Sequence, residues 1–138
     1  MISNSIDRTI EIGANLGKSL AAGDVVALVG DLGAGKTVLT KGIAQALGVR
    51  NVRYVNSPTF VIIKEYKGRL PLYHFDLYRL NKSSVLDAEN FEEYFYGDGV
   101  TVVEWADKIR SLLPKRHIEV RLSVAGEGKR KIEIRKRS

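Results

Sequence analysis

Residues 25–37 read VVALVGDLGAGKT, and the reading of the whole chain works outward from that stretch. The aliphatic run 25–29 has no polar position to offer water, as expected of a strand buried on both faces. From Gly30 to Thr37 the chain satisfies G-x-x-x-x-G-K-[ST] in full. Beyond it Leu39, Ile43 and Leu47 recur at helical spacing and Gly48 supplies a stop, so 36–47 is expected to be a helix. Backbone amides converge on phosphate oxygens only where side chains are absent, which Gly30, Gly33 and Gly35 provide. The following helix N-terminus adds unsatisfied amides and a positive partial charge. Asp31, Leu32, Gly33, Ala34, Gly35, Lys36, Thr37 and Val38 are therefore expected to surround a nucleotide's phosphates. Lys36 would reach the β- and γ-phosphates, and the Thr37 hydroxyl is placed to ligate a magnesium ion.

On the N-terminal side, Ser5 can cap a helix over 5–20 whose Ile12, Leu16 and Leu20 share a face; Gly13 and Gly17 count against it. On the C-terminal side, a short strand is expected at 52–55, before Ser57-Pro58 breaks regular structure. Strands at 60–66 and 72–78 are joined across Lys67-Gly68-Arg69 as a hairpin. A helix at 87–96 precedes a buried strand at 100–103 that ends at Glu104. Two runs then alternate with period two, with Ile118, Val120, Leu122 and Val124 on one face, and Ile132 and Ile134 together in the next run. The fold class is thus α/β, a three-layer nucleotide-binding domain on a mixed sheet of about seven strands.

Composition limits what else the chain can be. Its 138 residues suffice for a single domain, 1–138, and 44% apolar residues are too many for a disordered chain. There is no cysteine, which excludes disulfides, a thiol nucleophile and thiolate metal sites. No apolar run approaches the ~20 residues that span a bilayer, and the first residues show no secretory leader, so a cytoplasmic location is expected. The net charge of +6 is concentrated at 129–137, where KRKIEIRKR carries six basic side chains and one acid. A basic edge is indicated, and no diffuse nucleic-acid-binding field.

The loop by itself does not separate kinases, GTPases and ATPases. A guanine site usually carries N-K-x-D, whereas Asn81-Lys82 is followed by two serines, and Asp76 does not open a D-x-x-G switch. A small-molecule kinase needs a lid and an acceptor pocket for which 138 residues leave little room. Magnesium–ATP chemistry needs acids near the phosphates, and two are placed for it. Glu104 closes a buried strand at the rim where open sheets bind ligands. Asp76 lies on a strand that sets His74 and Tyr78 on its own face. One carboxylate would hold the metal and the other orient the attacking water, with the spacing compatible with either assignment. His74 is open to a proton-transfer, phosphate-contact or structural role, and Trp105 to covering the nucleotide, docking a partner or packing.

Four segments in order, GDLGAGKT at 30–37, SPTF at 57–60, YHFDLYRL at 73–80 and VEWADK at 103–108, resemble the bacterial TsaE family, also called YjeE, over about residues 5–135. The first motif is shared by many families; the combination of the other three is specific. The resemblance implies a small ATPase required to make threonylcarbamoyladenosine beside the tRNA anticodon. It implies a TsaD–TsaB heterodimer as partner, and ATP hydrolysis that is weak alone and stimulated in the complex. Carried over by position, Thr59 would sense the γ-phosphate and metal in a first switch, and Asp76 would centre a second, with Arg79 as charge partner. Glu104 would be the metal-associated acid, Trp105 a site-adjacent aromatic and Thr9 a neighbour of the adenine. The basic end is read chiefly as a solvated edge strand kept from aggregating by its lysines, with proximity to tRNA in the complex as the other reading. Two further functional classes stay open: a nucleotide-gated binding module whose hydrolysis is incidental, and a small-molecule kinase.

Overall fold

A computed structural model of the chain describes residues 1–30, 34–50, 63–77 and 92–138. The expected strand at 52–55, the SPTF segment and the first half of the helix at 87–96 lie outside these residues; of that helix the turn Glu92–Phe95 (α3) is described. The aliphatic run forms β2 (Val25–Gly30) and the stripe after it forms α2 (Lys36–Ala46). Ser5 caps α1 (Ile6–Lys18), its hydroxyl accepting from the Arg8 amide at 3.0 Å. The helix stops at Lys18, so Leu20 packs into the core from the turn that follows. The hairpin is β3 (Ile63–Tyr66) against β4 (Leu72–Asp76), the buried strand is β5 (Val100–Glu104), and a 3₁₀ helix covers Ala106–Leu112. The two alternating runs are β6 (His117–Gly126) and β7 (Lys129–Arg137). Val124, near the end of β6, is 54% exposed.

One seven-stranded sheet is formed among the described residues, in the order β1-β7-β6-β2-β5-β4-β3. Strand β1 (Ile2–Ser3), too short to show any periodicity, was not expected; it pairs with Lys131 and Arg130. It covers Arg130 and Lys131 at the start of β7, the strand read as a solvated edge. The core of the sheet is parallel: β2 lies between β5 and β6, and β4 lies beside β5. The chain crosses from β5 over β2 to β6, so the carboxyl end of β2 lies where connections leave to both sides, the usual position of a ligand crevice in such sheets. The fold is the P-loop NTPase-like α/β class expected from the sequence.

Helices lie on both faces. Against α1 and α2 pack Val26, Leu28, Leu72, Val102, Val120 and Leu122. The opposite face is aromatic, with Phe75 set edge-on to Tyr94 at 5.4 Å and tilted against Phe95. Interior glycines, which argued against α1, are what let it approach α2. A Cβ on Gly13 would stand 2.3 Å from the Leu39 carbonyl oxygen, and one on Gly42 would stand 2.1 Å from that of Ile10. The basic end also has structure: Glu119, nearly buried on β6, accepts from Arg137 at 2.8 Å and Arg110 at 3.3 Å.

Gly42→Ala distinguishes close packing from mere helix propensity. In an open helix the change would stabilise by up to about 1 kcal/mol; here it is expected to destabilise by about 1–3 kcal/mol, measured by urea unfolding. Glu119 predicts an acid-sensitive stability. The hydrogen bond from Arg137, assisted by the charges of Arg137 and Arg110 and opposed by burial, holds its carboxyl below the ordinary value of 4.5. That stability is complete above pH 4.5 and disappears as pH falls through the lowered value. Glu119→Gln should therefore flatten the acid limb of a stability-against-pH curve.

Candidate functional site

The described ends of the phosphate-loop segment are fixed by packing. Gly30 closes β2 with its Cα so near the Leu122 carbonyl that a Cβ would sit 2.1 Å from the oxygen. Gly35 caps α2 at φ +100°, a conformation costly for a side chain, and it gives the helix no side-chain cap. The N-terminus of α2, which opens at Lys36, is the helix's positive end and suits an anion. Asp31, Leu32, Gly33 and Thr59 lie outside the described residues, as do Tyr78 and Arg79. Ala34 is buried, and Val38, on the first turn of α2, lines an adjoining cavity.

Register brings the acids to this loop. Pairing of β2 with β5 sets Leu28 opposite Glu104, and pairing of β4 with β5 sets Asp76 opposite Glu104. All three strands run the same way, so Gly30, Glu104 and Asp76 sit at one end of the sheet. Glu104 is 2% exposed, and its two carboxylate oxygens accept from the Thr37 hydroxyl at 3.1 and 3.2 Å. The Nε2 of His74, a residue with no exposed surface, hydrogen-bonds the same carboxylate at Oε2. Asp76 is half-buried at the strand end on that face.

Lys36 is nearly buried, its ammonium donating to the Gly30 carbonyl at 2.8 Å and lying 4.1 Å above the Trp105 ring. Trp105 takes φ +60°, alone among the described non-glycine residues in that region, and this bend carries its indole across the loop directly after Glu104. Thr9 lies on the far side. Its hydroxyl is engaged with Ser3 at 2.7 Å and with the Ser5 carbonyl, and its methyl faces Gly35. Thr9, Gly35 and Val38 line a cavity of about 470 Å³ together with Asn4, Ile6, Gly128 and Arg130. Sequence reading missed Arg130 here, because its strand was taken as a solvated edge; only the fold of the β6–β7 turn places it beside α1.

The description "Threonylcarbamoyl adenosine biosynthesis protein TsaE" belongs to the family model that matches residues 3–132. The chain belongs to the TsaE family. It is 51% identical to the tRNA threonylcarbamoyladenosine biosynthesis protein TsaE of Bacillus subtilis over 80% of this chain and 68% of that protein. The proteins of the same name from Nostoc and Treponema pallidum are 42% and 39% identical, covering 93% and 96% of this chain and 80% and 97% of theirs. A crystal structure of YdiB from Bacillus subtilis superposes with a TM-score of 0.81 at 37% identity, covering all of this chain and 84% of that one. For this TsaE family member, then, Gly30, the two acids and Trp105 occupy one rim of a P-loop NTPase-like fold.

Trp105 is the chain's one tryptophan, so its emission reports on the cation above it. Lys36→Met should shift the emission of nucleotide-free protein, whereas Lys64→Met on β3 should not. Identical spectra for the two variants would place the ammonium away from the ring.

Proposed function

We propose that this chain is the ATP-hydrolysing subunit of the machinery that makes threonylcarbamoyladenosine in tRNA. In this reading it is one ATPase domain, 1–138, acting in the cytoplasm on a TsaD–TsaB heterodimer and meeting tRNA through that complex. The observation that carries the proposal is the Thr37–Glu104 contact, which joins the hydroxyl of the phosphate-loop motif to a buried carboxylate at the rim of the sheet. Among the described residues no helix is long and apolar enough to cross a membrane.

The donor set fits magnesium. Among the described residues no group of three or more His, Cys, Asp or Glu could cage an ion. Magnesium needs no such cage, since it takes one or two protein oxygens and completes its shell with water and phosphate. Thr37 and Glu104 would hold it, with Asp76 beside them; once bound, it neutralises charge on the β- and γ-phosphates. The opening amides of α2 bind phosphate oxygens. Lys36 exchanges the Gly30 carbonyl for the γ-phosphate and stabilises charge there during transfer to water. With Glu104 committed to Thr37, Asp76 is the carboxylate that orients the attacking water. The cavity lined by Thr9, Val38 and Arg130 takes the base and ribose.

One arrangement favours a second reading, in which ATP is a conformational ligand and hydrolysis is incidental. Lys36 rests on Gly30 and Trp105, so binding must displace it before the site is complete. A kinase reading predicts ADP formation that depends on an added acceptor molecule.

The readings separate in tRNA modification by purified TsaD–TsaB with this chain limiting. A single round with a non-hydrolysable ATP analogue, against many rounds with ATP, supports the hydrolase; equal multiple turnover with both supports the gated module. Lys36→Ala should abolish nucleotide binding or turnover. Glu104→Ala and Asp76→Ala should each lose roughly 100-fold in hydrolysis while losing less in binding. Normal turnover by both acid variants with partners present would overturn the catalytic assignment.

A further inference from the structure

His74 sits in the middle of β4, between β3 and β5, with no exposed surface. A polar ring in such a place needs a partner, and it has one, the Glu104 carboxylate. His74 stands opposite Val102, so its imidazole reaches diagonally along the sheet to Glu104, two residues further on. A carboxylate accepts, so Nε2 carries the hydrogen of this bond. Nδ1 has no hydrogen-bond partner among the described residues.

Glu104 is therefore held from two sides. Thr37 approaches both carboxylate oxygens almost equally, at 3.1 and 3.2 Å, and does not choose between them. The imidazole does choose, because it takes Oε2. We propose that His74 is a positioning residue for the metal–nucleotide site. Its Nε2–H fixes the side-chain torsions of Glu104 and holds Oε2 toward the sheet, so that Oε1 and the Thr37 hydroxyl are presented together to the cation. This rests on the magnesium–nucleotide reading given above. Outer-shell partners of this kind typically change metal affinity by about 10–100-fold when removed. A merely structural histidine would change stability and leave the metal dependence alone.

The test uses manganese as a paramagnetic probe, titrated into the full-length protein with saturating ADP, alongside ADP affinity measured in EDTA. His74→Gln keeps an amide N–H near the Nε2 position, whereas His74→Asn is polar but too short, and His74→Leu removes the donor. The expected result is at least a tenfold rise in the manganese needed for half-saturation for Asn and Leu, and less than threefold for Gln. ADP affinity in EDTA should stay within about twofold for all three, which also certifies that each is folded. Should Leu fail to fold, the Asn–Gln comparison decides alone. Manganese affinity like that of the unmodified protein in Asn, or equal losses in Asn and Gln, overturns the positioning role. Indifference of the unmodified protein itself to manganese overturns the site reading, and with it this inference, and is told apart because no variant is involved.

Discussion

Parallel register between β2, β5 and β4 is the constraint on which the site depends. Pairing Leu28 with Glu104 and Glu104 with Asp76 aligns the ends of three strands, and the period-two alternation decides what those ends present. Glu104 shares its face with Val102 and therefore meets α2. One residue of slip would turn it toward Val103, Phe75 and Phe95, away from the Thr37 hydroxyl and the His74 imidazole that now hold it. The apolar residues of β5 thus do more than fill space. Val100 and Val102 on one face and Val103 on the other hold the register that delivers the acid.

Local signals made the centre of the fold legible. The run 25–29, the glycine loop and the stripe of Leu39, Ile43 and Leu47 each depend on neighbours in sequence, and β2 and α2 follow from them. The alternation in 118–124 gave β6 for the same reason. What was not legible depends on partners distant in sequence. Gly13 and Gly17 look like helix weakeners until α2 lies against them, where a side chain has no room. Strand β1 is two residues long and exists because β7 offers it an edge, tied just before its start by two hydrogen bonds exchanged between Met1 and Ile132.

The same division runs through the site. Lys36 and Thr37 are named by a motif, because the chemistry and the spacing lie in one loop. Glu104 could be suspected as a strand-end acid, but its union with Thr37 spans 67 residues and rests on sheet register. His74 carried no signal that separated a phosphate contact from a core residue; its bond to Glu104 becomes visible only when β4 and β5 are side by side. Arg130 was hidden by its company, since a guanidinium within KRKIEIRKR reads as one more solvated charge.

Trp105 shows how local cost and site geometry are traded. A non-glycine residue at φ +60° costs on the order of 1 kcal/mol or more, and glycine would remove that cost. Glycine would also remove the ring over Lys36, a contact of roughly 0.5–2 kcal/mol depending on how dry it is. Those two terms nearly cancel, so neither the strain nor the cation contact accounts by itself for tryptophan at this bend, where the ring also packs against the aromatic face. Geometry does: the strained turn comes immediately after Glu104, and it is what swings an indole from the end of β5 across the cation of the loop. With the ammonium held between the ring and the Gly30 carbonyl, a nearly buried positive charge keeps partners on both sides.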